Sequence, residues 1–547
     1  MPGLIERWYY GLDDNHMVQL KAALAVVGAV LLLWYWLADD MPLLRRWRRL
    51  RDGLLIAVGL LSCAMWWNLG RYHFPPFIHY YEFYHYYLGA KYQPELGYTH
   101  LYECTVVAED EFAHLGARLE RTEIRDLTTN ILGPSAPALA HPENCKQHFS
   151  PERWQAFMRD SDFFRRASSW DFWSSGLKDN GYNGSPVWRI LGGFFANRVD
   201  EMNDASLYHL AYLDPILLFA MMFCIWWAFG WRTLCVALLF FGTNYPGRYW
   251  WTGGAYLRMD WLFTMVASIC CMKRDRPMLS GFLIAYSTLL RVFPGFVAAA
   301  LILKIVIASV RAKKLAWTTA QKRFVAGCAI AFAVLVPIAT VYGGGVSTWT
   351  GFVSNSEKHL STPLTNNMGW RTVVAYSRST RAQVERNYHD NDPFLKWKNS
   401  QLENFRKRKV LFVLGLLGFL ALLGLAVERH PDWIALTLGT GLIIFAAQLT
   451  CYYFIGFIAF ALLWPYLKWS GWALALLSFA SCQIPLAFIS WDDERYVAIS
   501  IAYILFVLAV TTALARFSNE ELAPSPQKSE KGTRSKRRRG RGRAATT

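Results

Sequence analysis

The run QLKAALAVVGAVLLLWYWLA (Gln19–Ala38) decides the fold. It matches the ~20 apolar residues that a helix needs to cross bilayer hydrocarbon. Soon after it comes RRWRRLR (Arg45–Arg51), and short basic loops beside spans mark the cytoplasmic side. Working outward from this pair, apolar runs recur along the chain. The expected spans are 19–38, 53–70, 206–229, 233–249, 256–272, 279–293, 296–310, 324–342, 409–427, 433–449, 452–467, 471–490 and 496–516. The reading is an all-α polytopic membrane protein, a bundle of about 11–13 transmembrane helices with two large external loops.

Composition agrees. Of 547 residues, 54% are hydrophobic and 18% are charged, the latter below the ~25% usual in soluble domains. Aromatic residues make up 16%, with 25 Trp, and Trp and Tyr favour the membrane–water interface. The net charge of +17 does not read as a nucleic-acid footprint. Much of it lies in Arg45–Arg51, KRDR (Lys273–Arg276), RAKK (Arg311–Lys314) and the tail KSEKGTRSKRRRGRGR (Lys528–Arg543), where basic loops anchor topology. The tail has no apolar periodicity and reads as disordered, with anionic lipid headgroups as its partner and RNA a second choice. The opening residues MPGLIERWYYGLDDNHMVQLK do not read as a cleavable signal peptide.

These features divide the chain into N-terminal helices (1–70), a first external segment (71–205), a transmembrane core (206–342), a second external segment (343–408), C-terminal helices (409–516) and the basic cytoplasmic tail (517–547). One conflict remains. The alternation of spans leaves RKRK (Arg406–Lys409) outside, where it either binds an anionic group or signals a slip in the count near 345–408. In the first external segment, RWQAFMRDSDFFRRASSWDFW (Arg153–Trp173) has the spacing of a helix lying in the interface plane. The stretch 279–310 should break at Phe293-Pro294-Gly295, just after Arg291, and broken backbone at membrane depth points to a cavity.

Candidate chemistry concentrates in HYYEFYHYYLGAKYQPELGYTHLY (His79–Tyr102), where the chain leaves a span. Titratable groups at a lipid boundary are costly unless something gains from them. Glu82 suits a general base that takes the proton of an acceptor hydroxyl. Its plainer reading is a pair with His79 or His85. Arg291 is an isolated cation in an apolar run. It needs an anion, and phosphate fits the planar guanidinium, with Lys91, Arg248 and Arg258 as possible helpers. Snorkelling to headgroups is the alternative. Asp260 is either a functional membrane carboxylate or the partner of Arg258. Asp214, before Pro215, reads as a helix cap. SNSEKHLSTPLTNNMGWR (Ser354–Arg371) offers His359 and Asn366 for hydroxyl or phosphate recognition, or is an ordinary capped loop. CYYF (Cys451–Phe454) could stack a sugar or form part of an interface belt. Among ten Cys, only Cys104 and Cys145 lie in a long polar segment, and they are a possible disulfide if that segment is outside. No Cys or His spacing demands a metal, and no soluble nucleotide-binding loop is present, so an activated donor is expected to be lipid-linked.

Four stretches carry a resemblance. They are EFYHYYLGAKYQPELGY (Glu82–Tyr98), TGGAYLRMDW (Thr252–Trp261), LLRVFPG (Leu289–Gly295) and CYY (Cys451–Tyr453). Together with the many-span body and two external loops, they resemble the GT-C superfamily of integral membrane glycosyltransferases. The resemblance covers roughly residues 50–500. Within that superfamily the chain is similar to the branch of bacterial polyprenyl-phosphate mannosyltransferases that includes the phosphatidylinositol mannoside alpha-1,2-mannosyltransferase. Two departures stand out. The family's base is usually Asp after the first span, whereas Glu82 follows the second.

The resemblance implies inverting transfer from a polyprenyl-phosphate sugar donor, without a nucleotide sugar, to a glycolipid or glycan acceptor. It implies an active site facing away from the cytoplasm, expected to be the periplasmic side of the bacterial inner membrane, while the alternation of spans from the basic loop puts the C-terminus in the cytoplasm. On this reading Glu82 is the base. Arg258, Arg291, Lys91 and His85 hold the donor phosphate, with His85 also able to orient Glu82. Asp260, His359, Asn366 and Tyr81 contact substrate. The lipid-linked donor is the cofactor-like molecule expected; metal dependence varies in the superfamily and no ligand set in the sequence demands a divalent metal; the partners are membrane lipids, donor and acceptor rather than nucleic acid. The rival reading is a transporter or lipid flippase with a charged intramembrane cavity, for which internal repeats would be expected. A non-catalytic membrane scaffold would leave Arg291 and Asp260 unexplained.

Overall fold

The computed structural model describes residues 9–38, 41–74 and 76–517. The expectations for the basic tail and for the first eight residues fall outside the described residues. A helix stands at each expected span. Seven are long and apolar enough to cross a membrane, judged by length and composition: Asp14–Leu37, Asp204–Phe229, Gly295–Ala312, Thr319–Tyr342, Lys409–Glu428, Lys468–Ala487 and Asp492–Arg516. The chain is thus an all-α membrane protein, with seven such helices among the described residues.

Other expected spans are shorter than the sequence reading drew them. Trp231–Thr243 has 13 residues, Asp260–Lys273 has 14, and Pro277–Arg291 and Asp432–Ala446 have 15 each. At about 1.5 Å per residue even the longest of these reaches only about 22 Å, short of a ~30 Å hydrocarbon core. Cys451–Leu463 is a 3-10 helix, which stretches its 13 residues to about 26 Å at ~2 Å per residue. The remaining one, Arg48–Trp66, begins with RRLRD and is charged over its first turns. Loops at the ends of the short helices (244–259, 292–294 and 447–450) converge on one cavity. Irregular backbone at this depth is tolerated where it lines such a space.

The expected helix break is present. Pro277–Arg291 ends at Val292, and Gly295–Ala312 starts after Pro294. Val292 adopts φ +52°, a strained conformation for a β-branched residue. Pro277–Arg291 packs on Thr319–Tyr342 through two glycines. A Cβ on Gly281 would lie 1.9 Å from the Phe324 carbonyl oxygen, and one on Gly327 would lie 1.9 Å from that of Met278. Small residues at such contacts let membrane helices approach backbone to backbone.

The two long polar segments are folded. In 71–205, helices Leu101–Ala113 and Pro151–Arg166 pack together beside an antiparallel strand pair, Glu123–Asp126 with Ile131–Pro134. Cys104 and Cys145 are joined, with 5.3 Å between their Cα atoms. The expected interfacial helix 153–173 needs correction. It is two helices, Pro151–Arg166 and Trp170–Gly176. Trp154, Phe157 and Phe164 are buried inside protein, so the apolar face of the first helix is already covered. In 343–408, the strand Asn367–Met368 pairs with Leu449–Thr450 and ties the segment to the bundle. The two segments also touch each other. Asn130 donates to Thr362 at 3.0 Å, Asn355 donates to the Tyr182 carbonyl at 3.3 Å, and Lys358 donates to the Leu127 carbonyl. They therefore lie on the same side of the bundle.

Candidate functional site

A cavity of about 1450 Å³ lies between the two polar segments and the converging loops. Glu82 sits in its wall on the short helix Tyr80–Phe83, at whose N-cap the His79 Nδ1 accepts from the Glu82 backbone N–H at 3.3 Å. This edge is stitched to the loop 253–259. The His79 N–H donates to the Gly254 carbonyl at 3.0 Å, and the His73 ring donates to the Gly253 carbonyl at 2.8 Å. Gly254 has φ +65°, and a Cβ there would lie 1.8 Å from the Phe77 carbonyl oxygen, so only glycine allows this approach. Asp214 then holds the end of the loop. It accepts from the backbone N–H of Arg258 at 2.9 Å and of Met259 at 3.0 Å, a structural role other than the helix cap expected of it.

The stitching places the Arg258 guanidinium 2.9 Å from the Glu82 carboxylate. Arg258 therefore pairs with Glu82 rather than with Asp260. Its Cζ also lies 4.1 Å from the centre of the Tyr86 ring, and the Cζ of Arg291 lies 5.3 Å from the same ring. Tyr86 thus gathers two buried cations, and its own hydroxyl donates to Asn183 in the cavity wall. Nη1 of Arg258 and both Nε and Nη2 of Arg291 are buried without a hydrogen-bond partner among the described residues. A buried guanidinium with unused N–H groups is a site for an anion, and its fork geometry suits phosphate. Burial raises the Glu82 carboxyl above the ordinary carboxylate range. Arg258 opposes that shift and the Asp179 carboxylate adds to it.

Of the other residues singled out in the sequence, Tyr81, His359 and Asn366 line the cavity with Glu82 and Arg291. Burial lowers the His359 and His79 imidazoles to about 4 and raises the Tyr81 phenol well above its usual value. Asp260 is buried behind the wall at the start of its helix, accepting from the Trp261 N–H at 2.7 Å. Two expectations require correction. Lys91 lies away from the cavity, 2.8 Å from the fully buried Asp160, and also donates to the Val199 carbonyl at 2.6 Å. It has no donor group left for a phosphate. His85 is likewise engaged, at 2.7 Å from both the Tyr81 carbonyl and the Tyr102 hydroxyl, so it neither orients Glu82 nor faces the cavity.

Sequence reasoning passed over Asp179, in KDNGYN (Lys178–Asn183), whose turn-rich polarity was the available signal. It also left Tyr452 and Tyr453 open. Both line the cavity, and Tyr453 stacks edge-on against Phe293 and Trp261 at 4.9 and 5.7 Å. Among the described residues one group has metal-ligand spacing, Glu103 with Cys104 and Cys145. Its two cysteines form the disulfide, and it does not line the cavity. Comparison with protein-family models, with curated proteins and with solved structures finds no match for the chain.

Proposed function

We propose that this protein is a membrane glycosyltransferase. It moves a sugar from a polyprenyl-phosphate donor to a hydroxyl of a lipid or envelope-glycan acceptor, with inversion, on the non-cytoplasmic face of a bacterial inner membrane. The observation that carries this reading is one large cavity lined by Glu82 and Arg291, with Arg258 paired to the half-buried Glu82 carboxylate behind the wall and unused N–H groups left on both guanidinium groups.

In this mechanism Glu82 takes the proton of the acceptor hydroxyl as its oxygen bonds to the anomeric carbon. The bond from that carbon to the donor phosphate oxygen breaks, and the departing phosphate keeps the electron pair. Arg291, with the unused Nη1 of Arg258 behind it, stabilises the charge that develops there. Tyr452 and Tyr453 offer ring faces to the sugar, and Asp179 and Asn180 offer acceptors to its hydroxyls. The resemblance of the four sequence stretches to polyprenyl-phosphate mannosyltransferases favours mannose as the first sugar to test.

The test uses purified protein in lipid nanodiscs with a panel of radiolabelled polyprenyl-phosphate sugars and membrane extract. Label moving into an acceptor, from one donor above the others, is the expected result. No transfer from any donor, together with flux of labelled lipid across proteoliposomes, would replace this reading with that of a transporter or lipid flippase.

A further inference from the structure

Five cations line the cavity: Arg125, Lys178, Arg291, Arg371 and Lys398. Three have a carboxylate partner within the protein. Arg125 and Lys398 share Asp392 at 3.6 and 2.6 Å, and Lys178 holds Glu123 at 2.8 Å. Arg291 and Arg371 have no carboxylate at ion-pair distance among the described residues. Arg291 belongs to the site already described. Arg371 stands at a different wall, half-buried, with its Cζ 4.5 Å from the centre of the Phe405 ring.

Phe405 is followed directly by RKRK, the basic run whose place outside the membrane conflicted with the positive-inside pattern. Two of its members are engaged. Arg408 donates to the Val374 and Tyr376 carbonyls at 3.1 and 2.6 Å, and Lys407 pairs with Glu403 at 2.7 Å. Arg406 and Lys409 are exposed and have neither a hydrogen-bond nor an ion-pair partner among the described residues. The apolar helix Lys409–Glu428 begins at this point and exposes Val410, Leu411, Leu414 and Leu417 over its first turns. An unpaired cation in the cavity wall, two exposed cations close in the chain to the ring it packs on, and an exposed apolar helix face that follows them match an amphiphile with an anionic head. Charge complementarity sets the head, and the exposed stripe sets the tails.

We propose that the Arg371 corner is a headgroup site for an anionic membrane phospholipid. The phosphate sits against Arg371, Arg406 and Lys409 lie at its rim, and the acyl chains run along the first turns of Lys409–Glu428. A free phosphate would meet the same guanidinium but gain nothing from the apolar stripe. The site does not depend on the glycosyl-transfer reading, and its test reads binding rather than turnover.

The experiment is native mass spectrometry of the full-length, delipidated protein with phosphatidylglycerol or phosphatidylcholine of matched chains. Wild type should retain phosphatidylglycerol in preference. Arg371→Gln should weaken that retention about tenfold, the scale of one lost charge-assisted contact. Arg371→Lys should retain most of it, and Arg378→Gln, an exposed cation outside the cavity, should change nothing. Equal retention by Arg371→Gln and wild type overturns the site. An equal loss in Arg378→Gln overturns it too, by showing non-specific charge attraction. Displacement by equimolar inorganic phosphate overturns the lipid as occupant. If Arg371→Gln does not fold, the exposed pair Arg406→Gln and Lys409→Gln takes its place, with a loss of about threefold or more expected and no loss overturning the proposal.

Discussion

Burial raises the Glu82 carboxyl above its ordinary range, while the Arg258 guanidinium 2.9 Å away pulls it down. A base must be ionised to act, so transfer should fall as pH drops through the raised value. Removing the opposing charge with Arg258→Gln should move this acid limb to higher pH and slow transfer about 10²-fold near neutrality. Initial rates of the two proteins across pH check this, and an unmoved limb would count against the pairing. Two imidazoles shift the other way. Burial lowers both His79 and His359 to about 4, below the ordinary value of ~6.5. A lowered folded value means that each contributes stability in full above the ordinary value and loses it as pH falls toward about 4. His359→Gln should therefore flatten the decline of melting temperature over that window, as thermal unfolding at several pH values would read. At this scale the sequence revealed oddity but not pairing. Glu82, Lys91 and Arg291 all stood out as charges beside apolar runs. Only the fold shows that Asp160 neutralises Lys91, that Arg258 partners Glu82 and that Arg291 is left over.

The loop 253–259 brings the two halves of the site together. Its position rests on Gly254, where a Cβ would strike the Phe77 carbonyl oxygen at 1.8 Å. Gly254→Ala should destabilise the protein by about 2 kcal/mol or more and slow transfer by separating Arg258 from Glu82. Thermal unfolding and rate measured together check this, and a stable, fully active variant would contradict the role given to the loop. The broken helix at Phe293–Gly295 was legible because Pro and Gly interrupt an apolar run. The interfacial helix was not, because helical spacing of Trp154, Phe157 and Phe164 shows that a face is apolar but not what covers it. Here protein covers it.

Across the whole molecule, apolar run length exposed the membrane class but overstated the lengths of several spans. Runs such as 233–249 and 433–449 continue past the helix end into cavity-lining loops, and hydrophobicity does not distinguish a membrane-embedded residue from one buried beside a cavity. The contacts between the two polar segments place them on one face. Single-cysteine reporters at Asp171 and Ser377 should therefore react with an impermeant thiol reagent from the same side of sealed vesicles, and labelling from opposite sides would contradict the fold. The cavity that these segments enclose is the basis for the proposed activity, and its central claim is that Glu82 is the base. The most direct test is single-turnover transfer from the preferred polyprenyl-phosphate sugar in nanodiscs, comparing wild type with Glu82→Gln at matched folding and donor binding. The account predicts a loss of about 10³-fold, and transfer near the wild-type rate would contradict it.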